Sequence, residues 1–233
     1  MDIFQQFFSG LGRSMLFRTQ EHMMLTLIAI LVAASVAIPT GIYLARCRVK
    51  AVVTAVMGLA NIIQPIPSLA TVALTVVIFY YVNQLTGTRI PTIGVVPGLV
   101  ALTAYGLLPI LRNTYTGIQQ VDPAVVEVAR GMGMTRRQIL LMVELPLALP
   151  FIMAGVRIST VWTIGVATLV SLVGAGGLGD MIFKGLANYR MDLILAGAIP
   201  AALLALFLDW LLGLLESWLS PPGLKETHEI QGP

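Results

Sequence analysis

Cysteine is almost absent from this chain: Cys47 is the only one among 233 residues. No internal disulfide can form, and a metal site built on several thiolates lacks its ligands. Histidine is nearly as scarce, with His22 and His228 close to the two ends and outside the apolar segments. Charge is the third shortage. Asp, Glu, Lys and Arg make up 11% of the residues, against about 25% in an ordinary soluble domain. No G-x-x-x-x-G-K-[ST] segment occurs, so any nucleotide must be held by another chain.

What is present is apolar sequence in long runs. Hydrophobic residues account for 57% of the chain, and neither 23–45 nor 51–88 contains a charge. About 20 apolar residues suffice for a helix to cross the hydrocarbon core. The predicted fold class is an all-α membrane protein, with spans near 23–45, 51–82, 95–118, 145–173 and 193–219. Residues 1–22 read as an external segment, 23–219 as a transmembrane domain containing a long loop over 119–144, and 220–233 as a polar cytoplasmic tail. Asp2, Arg13, Arg18, Glu21 and His22 break up the first 22 residues, so no cleavable signal peptide is expected.

Basic residues set the orientation. Arg46, Arg48 and Lys50 crowd the first connection, and Arg130, Arg136 and Arg137 sit in the third. The positive-inside rule makes both cytoplasmic, which puts the N-terminus outside and the C-terminus inside. The second span is too long for one straight crossing, and Gln64-Pro65-Ile66-Pro67-Ser68 interrupts it. Two prolines remove backbone donors and force a bend or break. Six spans are the alternative, but that count would place the first basic cluster outside. Broken backbone at membrane depth is tolerated where protein or a water-filled cavity surrounds it. Asn61, Gln64, Pro65, Pro67 and Ser68 are therefore candidates for the wall of a path, as are Thr103 and Tyr105 in the third span. A plain proline kink accounts for the same residues.

The loop has its own local logic. Asp122 can cap a helix with Pro123 at its first position, and Val125, Val126 and Ala129 then share a face. Gly131 and Gly133 end that helix, and Thr135 can cap a second one carrying Ile139, Leu140 and Val143. A DNA-binding unit is the tempting misreading. A short loop tethered between two spans has no recognition helix of useful length, so no nucleic-acid partner is expected.

These residues resemble the coupling loop of bacterial ABC import permeases, which reads Glu-Ala-Ala, three residues, Gly, nine residues, Ile, one residue, Leu-Pro. Here it is Glu127-Val128-Ala129, Gly133, Val143 and Leu145-Pro146, with Val128 and Val143 as the departures. Over nearly the whole chain the sequence is similar to the permeases of glycine betaine, carnitine and choline importers. The likeness also rests on Gln64 to Ala70, Tyr105 to Thr114, Gly155-Val156-Arg157 and Gly174 to Gly179. Amino-acid and methionine permeases share the loop but match those segments less well. The resemblance implies the type I importer fold with five or six spans, an inner-membrane location, and no enzymatic activity of its own. It also implies two ATPase subunits that bind ATP and Mg, an external binding protein, and a second permease, identical or paralogous. No cofactor is expected on this chain. Glu127, Ala129, Gly133, Arg136, Val143, Leu145 and Pro146 become the candidate ATPase-coupling residues.

Other patterns stay open or weigh little. Gly174, Gly176 and Gly179 fit G-x-G-x-x-G, but without a strand before them a flexible turn is the better reading. Arg157 lies about 16 Å along its helix from Pro146; it either snorkels to the interface or faces the path. Asp209 and Glu216 share a face of the last span, with an interfacial role as the default. Phe79, Tyr80, Tyr81 and Trp162 suit cation–π contacts and interfacial belts equally. A gradient-driven carrier would need carboxylates in its path, and a membrane enzyme would need a catalytic set within the spans.

Overall fold

The computed structural model describes residues 11–63 and 65–219. Gln64, the tail over 220–233 and the first ten residues of the external segment lie outside the described residues. Among those described there is helix and no strand, so the glycine pattern has no βαβ unit to belong to.

Helix α1 runs Gly12–Arg46, α2 Lys50–Ile63, α3 Ser68–Thr86 and α4 Val95–Gln119. The loop follows as α5 (Pro123–Gly131) and α6 (Arg136–Ile139), after which a five-residue π-helical turn (Leu140–Glu144) leads into α7 (Leu145–Leu169). A single 3-10 turn (Val170–Val173), a short α8 (Leu178–Ala187) and α9 (Met191–Leu219) complete the chain. Five of these stretches are long and apolar enough to cross a membrane, with α6 to the 3-10 turn counted as one.

Helix α4 is the centre of the bundle, flanked by α1 and α7. On α1 the residues Leu25, Ala29, Ala33, Ala37, Gly41 and Leu44 are buried, at intervals of three and four, and the small ones from Ala29 to Gly41 let the helices approach closely. The α4–α7 seam is tighter. A Cβ on Gly155 would lie 2.7 Å from Asn113 Cβ and 2.9 Å from the Pro109 carbonyl oxygen. Across the same seam the Ser159 hydroxyl donates to the Gly106 carbonyl at 2.6 Å, which satisfies a polar group where water is absent. Helix α9 packs on α7 and α8.

The second span is one broken helix. Ala60 on α2 packs with Leu44, Leu108 and Leu111 at the loop side of the bundle. Val72 on α3 packs with Leu25, Ala101 and Leu102 toward the other side. The interruption therefore falls between these two layers, at mid-depth.

Three details differ from the sequence reading. Helix α1 starts at Gly12 rather than near Met23, because Arg18, Glu21 and His22 find partners in the glycine turn and do not end the helix. His22 is fully buried rather than outside the apolar segments. The second helix of the loop is also not a separate unit: it runs through the π-helical turn into the fourth span.

Candidate functional site

The loop between α4 and α7 is built by its caps. Asp122 accepts from the Ala124 amide at 2.8 Å, and Pro123 occupies the first turn of α5. Gly133 turns the chain at φ 80°, a conformation that disfavours any residue with a Cβ. Nothing lies within 4 Å of where that Cβ would stand, so the constraint at Gly133 is backbone, not space. Thr135 and Gln138 then form a capping box, the Thr135 amide donating to Gln138 Oε1 at 2.8 Å.

Packing sorts the loop residues into two sets. Ala129 and Ile139 are buried, while Val126, Val143, Leu145 and Pro146 are half-buried. Leu145 packs against Ile118, Ala148 and Ile152 at the loop end of the bundle. Glu127 and Arg136 are exposed. Val125 turns outward instead of sharing the face of Val126 and Ala129; it stands three residues before Val128 and seven before Met132, on their side of the helix. Val125, Val128 and Met132 thus form an exposed apolar stripe, with Val128 63% and Met132 70% exposed.

Sequence reasoning missed the anchor of this loop. Arg46, at the end of α1, donates from Nε to Glu144 Oε2 at 2.9 Å and pairs with it through Nη2 at 2.8 Å. It also reaches the Arg136 carbonyl through Nη1 and Nη2 at 3.4 and 3.3 Å. Gln119 adds a bond to the Ala45 carbonyl at 2.6 Å. The first connection and the loop are therefore at the same end of the molecule.

The broken span borders an open cleft of about 500 Å³, lined by Asn61, Pro65, Tyr105, Arg112 and Trp162. Three of the expected path residues, Asn61, Pro65 and Tyr105, come together there. Pro67 is exposed, Ser68 and Thr103 are half-buried, and none of these three lines the cleft. Gln64 lies outside the described residues. Arg112 and Trp162 complete the wall from α4 and α7 and were not expected there.

A second cavity of about 450 Å³ shares Trp162 and is lined also by Arg157 and Asp209. Arg157 donates from Nε and Nη2 to the two Asp209 oxygens, each at 3.1 Å, and from Nη1 to Glu216 at 3.1 Å. The guanidinium is thus held sideways by α9. An arginine at the helix centre costs about 2.5–3.5 kcal/mol on insertion scales, which such pairing offsets. Asp209 and Glu216, seven residues apart on one helix face, are spaced to grip the same side chain.

At the opposite end, His22 Nδ1 accepts from the Leu178 amide at 3.3 Å, and Nε2 stands 3.1 Å from the Ile164 carbonyl. Since Nδ1 accepts, Nε2 carries the proton. Glu21 accepts from the Gly177 amide, and Arg18 bridges Glu21 and Asp180. The glycine turn is thereby clamped to α1. Tyr80 and Tyr81 meet edge to face on α3 with both rings exposed, away from the cleft lining. Among the described residues no group of His, Cys, Asp and Glu could hold a metal ion.

Residues 37–221 match the profile of a family described as "Binding-protein-dependent transport system inner membrane component". The chain is 43% identical to the carnitine transport permease protein OpuCB of Listeria monocytogenes, over 98% of this chain and 99% of that one. It is 44% identical to the glycine betaine/carnitine/choline transport system permease protein OpuCB of Bacillus subtilis, over 94% of each. Its fold matches an inward-facing structure of the MetNI methionine ABC transporter with a TM-score of 0.76, at 22% identity over 89% of this chain and 97% of that one.

Proposed function

Since the chain belongs to the family of binding-protein-dependent transport system inner membrane components, we propose that it is the permease subunit of an ABC importer for quaternary ammonium osmoprotectants. The substrate class comes from the carnitine and glycine betaine/carnitine/choline permeases to which it is similar over almost its whole length. In this reading two such permeases, identical or paralogous, enclose the path. Two ATPase subunits bind ATP and Mg below, and an external binding protein delivers the solute.

The observation that carries the proposal is the loop over 119–144. It offers an outward apolar stripe, Val125, Val128 and Met132, on a short helix whose other face is packed. Its second half is continuous with α7, so a push on the loop moves a span. Glu127, Gly133 and Arg136 belong to the docking surface; Ala129, Val143, Leu145 and Pro146 fix it to the bundle. Orientation follows: the N-terminal end of α1 faces outside, while the loop over 119–144 and the tail over 220–233 face the cytoplasm. The Arg46–Glu144 pair supports it, since it joins the two basic connections at one end. ATP-driven motion then rocks the spans around a site near the midplane. A gradient-driven carrier is the weaker reading, because both Asp209 and Glu216 are bound by Arg157.

Replacing Gly133 with Leu tests the coupling role. A side chain in that left-handed conformation costs about 1–2 kcal/mol, and the loop must rearrange. Uptake should be lost while the protein stays inserted; normal uptake would contradict the assignment. Reconstitution with its ATPase and binding protein should move glycine betaine, carnitine or choline. Transport of methionine alone would remove the substrate class and leave the permease.

A further inference from the structure

We propose that the cleft between α2, α4 and α7 is a substrate station inside the membrane, and that Arg112 there reads the carboxylate of a zwitterionic betaine. This rests on the quaternary ammonium reading above and goes beyond it to a residue that sorts substrates within the class.

The cleft has the size of a small-molecule site, about 500 Å³ against roughly 300–1,000 Å³ for ligand pockets. It lies where the backbone of the second span breaks, at mid-depth, a place where irregular chain persists only beside protein or water. Two aromatic rings on different helices, Tyr105 and Trp162, contribute to its wall. Such faces attract a trimethylammonium group without requiring a counter-charge.

Arg112 is the unusual member. It stands seven residues, or about 10.5 Å along the axis, from Tyr105 on the same face of α4. Arg46 at the end of α1 is occupied by Glu144, and Arg157 at the middle of α7 by Asp209 and Glu216. Among the described residues no ion pair or hydrogen bond engages the Arg112 side chain. Arg112 stands exposed beside Leu111, in the loop-side half of α4; a span cation with no partner in its own bundle marks a pathway, and the guanidinium fork matches a carboxylate. Asn61 adds an amide at the rim of the same cleft. Aromatic faces toward one end and a guanidinium toward the other suit glycine betaine and carnitine, which carry both charges. Choline has a hydroxyl where the betaine has a carboxylate, so Arg112 can offer it a neutral hydrogen bond but no ion pair.

The test uses the complete transporter in proteoliposomes, with the binding protein saturated by either glycine betaine or choline, and compares uptake rates. Arg112→Gln should lower glycine betaine uptake about tenfold more than choline uptake, equivalent to losing a charge-assisted contact of about 1.4 kcal/mol. Arg112→Lys keeps the charge but not the fork, and should shift the ratio the same way by less. Trp162→Leu should depress both substrates. If Arg112→Gln is not recovered in the membrane, Arg112→Lys decides the direction. An unchanged ratio in the recovered Arg112 variants overturns the carboxylate assignment and leaves the importer standing. Unaltered uptake of both substrates in Trp162→Leu overturns the aromatic station. Wild-type uptake of neither compound overturns the substrate class and this proposal together.

Discussion

Removing one carboxylate should loosen the coupling loop by a measurable amount. Glu144 lies in the π-helical turn with its side chain 12% exposed, and its Oε2 receives both Nε and Nη2 of Arg46. Glu144→Ala leaves Arg46 with only the longer contacts to the Arg136 carbonyl. Hydrogen bonds to charged groups contribute about 1.5–3 kcal/mol. Arg46 is 32% exposed, so water recovers part of that, and about 1–2 kcal/mol remains. The docked arrangement should weaken by a factor of about 5–30. Hydrogen–deuterium exchange over residues 136–144 in lipid nanodiscs reads this directly, and should accelerate by that factor. Alanine is the better helix former, so faster exchange cannot be blamed on local propensity. In the reconstituted transporter, less substrate should then be moved per ATP hydrolysed. Unchanged exchange in that segment would refute the idea that α1 holds the loop in place.

Two further outcomes follow from packing and charge. Gly155→Ala places a methyl group 2.7 Å from Asn113 Cβ and 2.9 Å from backbone at Pro109; such overpacking costs about 1–3 kcal/mol and should lower the melting temperature of the purified protein, whereas an unaltered melt would show a slack seam. For the pair Arg157→Gln and Asp209→Asn, the first change strands Asp209 and Glu216 and the second leaves Arg157 with Glu216 alone, so the double variant should be less destabilised than the sum of the singles. The coupling should fall at the low end of about 0.5–3 kcal/mol, because these side chains are 34% and 40% exposed; strictly additive losses would show that the two do not act together.

The parts of this molecule legible from sequence are those whose chemistry is local. Asp122 with Pro123, and Thr135, announce helix starts within a few residues, and the structure has Asp122 and Thr135 as caps. The break at Pro65 and Pro67 was equally plain, since a missing donor needs no partner to act. Groups that depend on partners far along the chain were not legible. His22 looked like a residue of an external segment, yet its partners are 142 and 156 residues away. Arg18 and Glu21 looked like the end of apolar sequence, although Asp180 and Gly177 accommodate them inside a continuing helix. Arg157 left two readings open because Asp209 and Glu216 sit on another helix whose rotation no periodicity specifies. The convergence of Tyr105, Arg112 and Trp162 on one cleft has the same character. The residues are visible, but their meeting depends on how α4 turns against α7.

The π-helical turn at Leu140–Glu144 gives the connection between loop and span a phase as well as a length. Such a turn holds one residue more than an α-helix would. Winding those five residues as ordinary α-helix, with the surplus one kept, would rotate everything on its loop side by about 100° relative to α7, with every hydrophobic choice elsewhere untouched. The Arg136 carbonyl would swing away from Arg46, and the stripe of Val125, Val128 and Met132 would face a new direction. The wide turn thus acts as an angular setting: it absorbs one surplus residue, and how that residue is wound decides which way the loop faces.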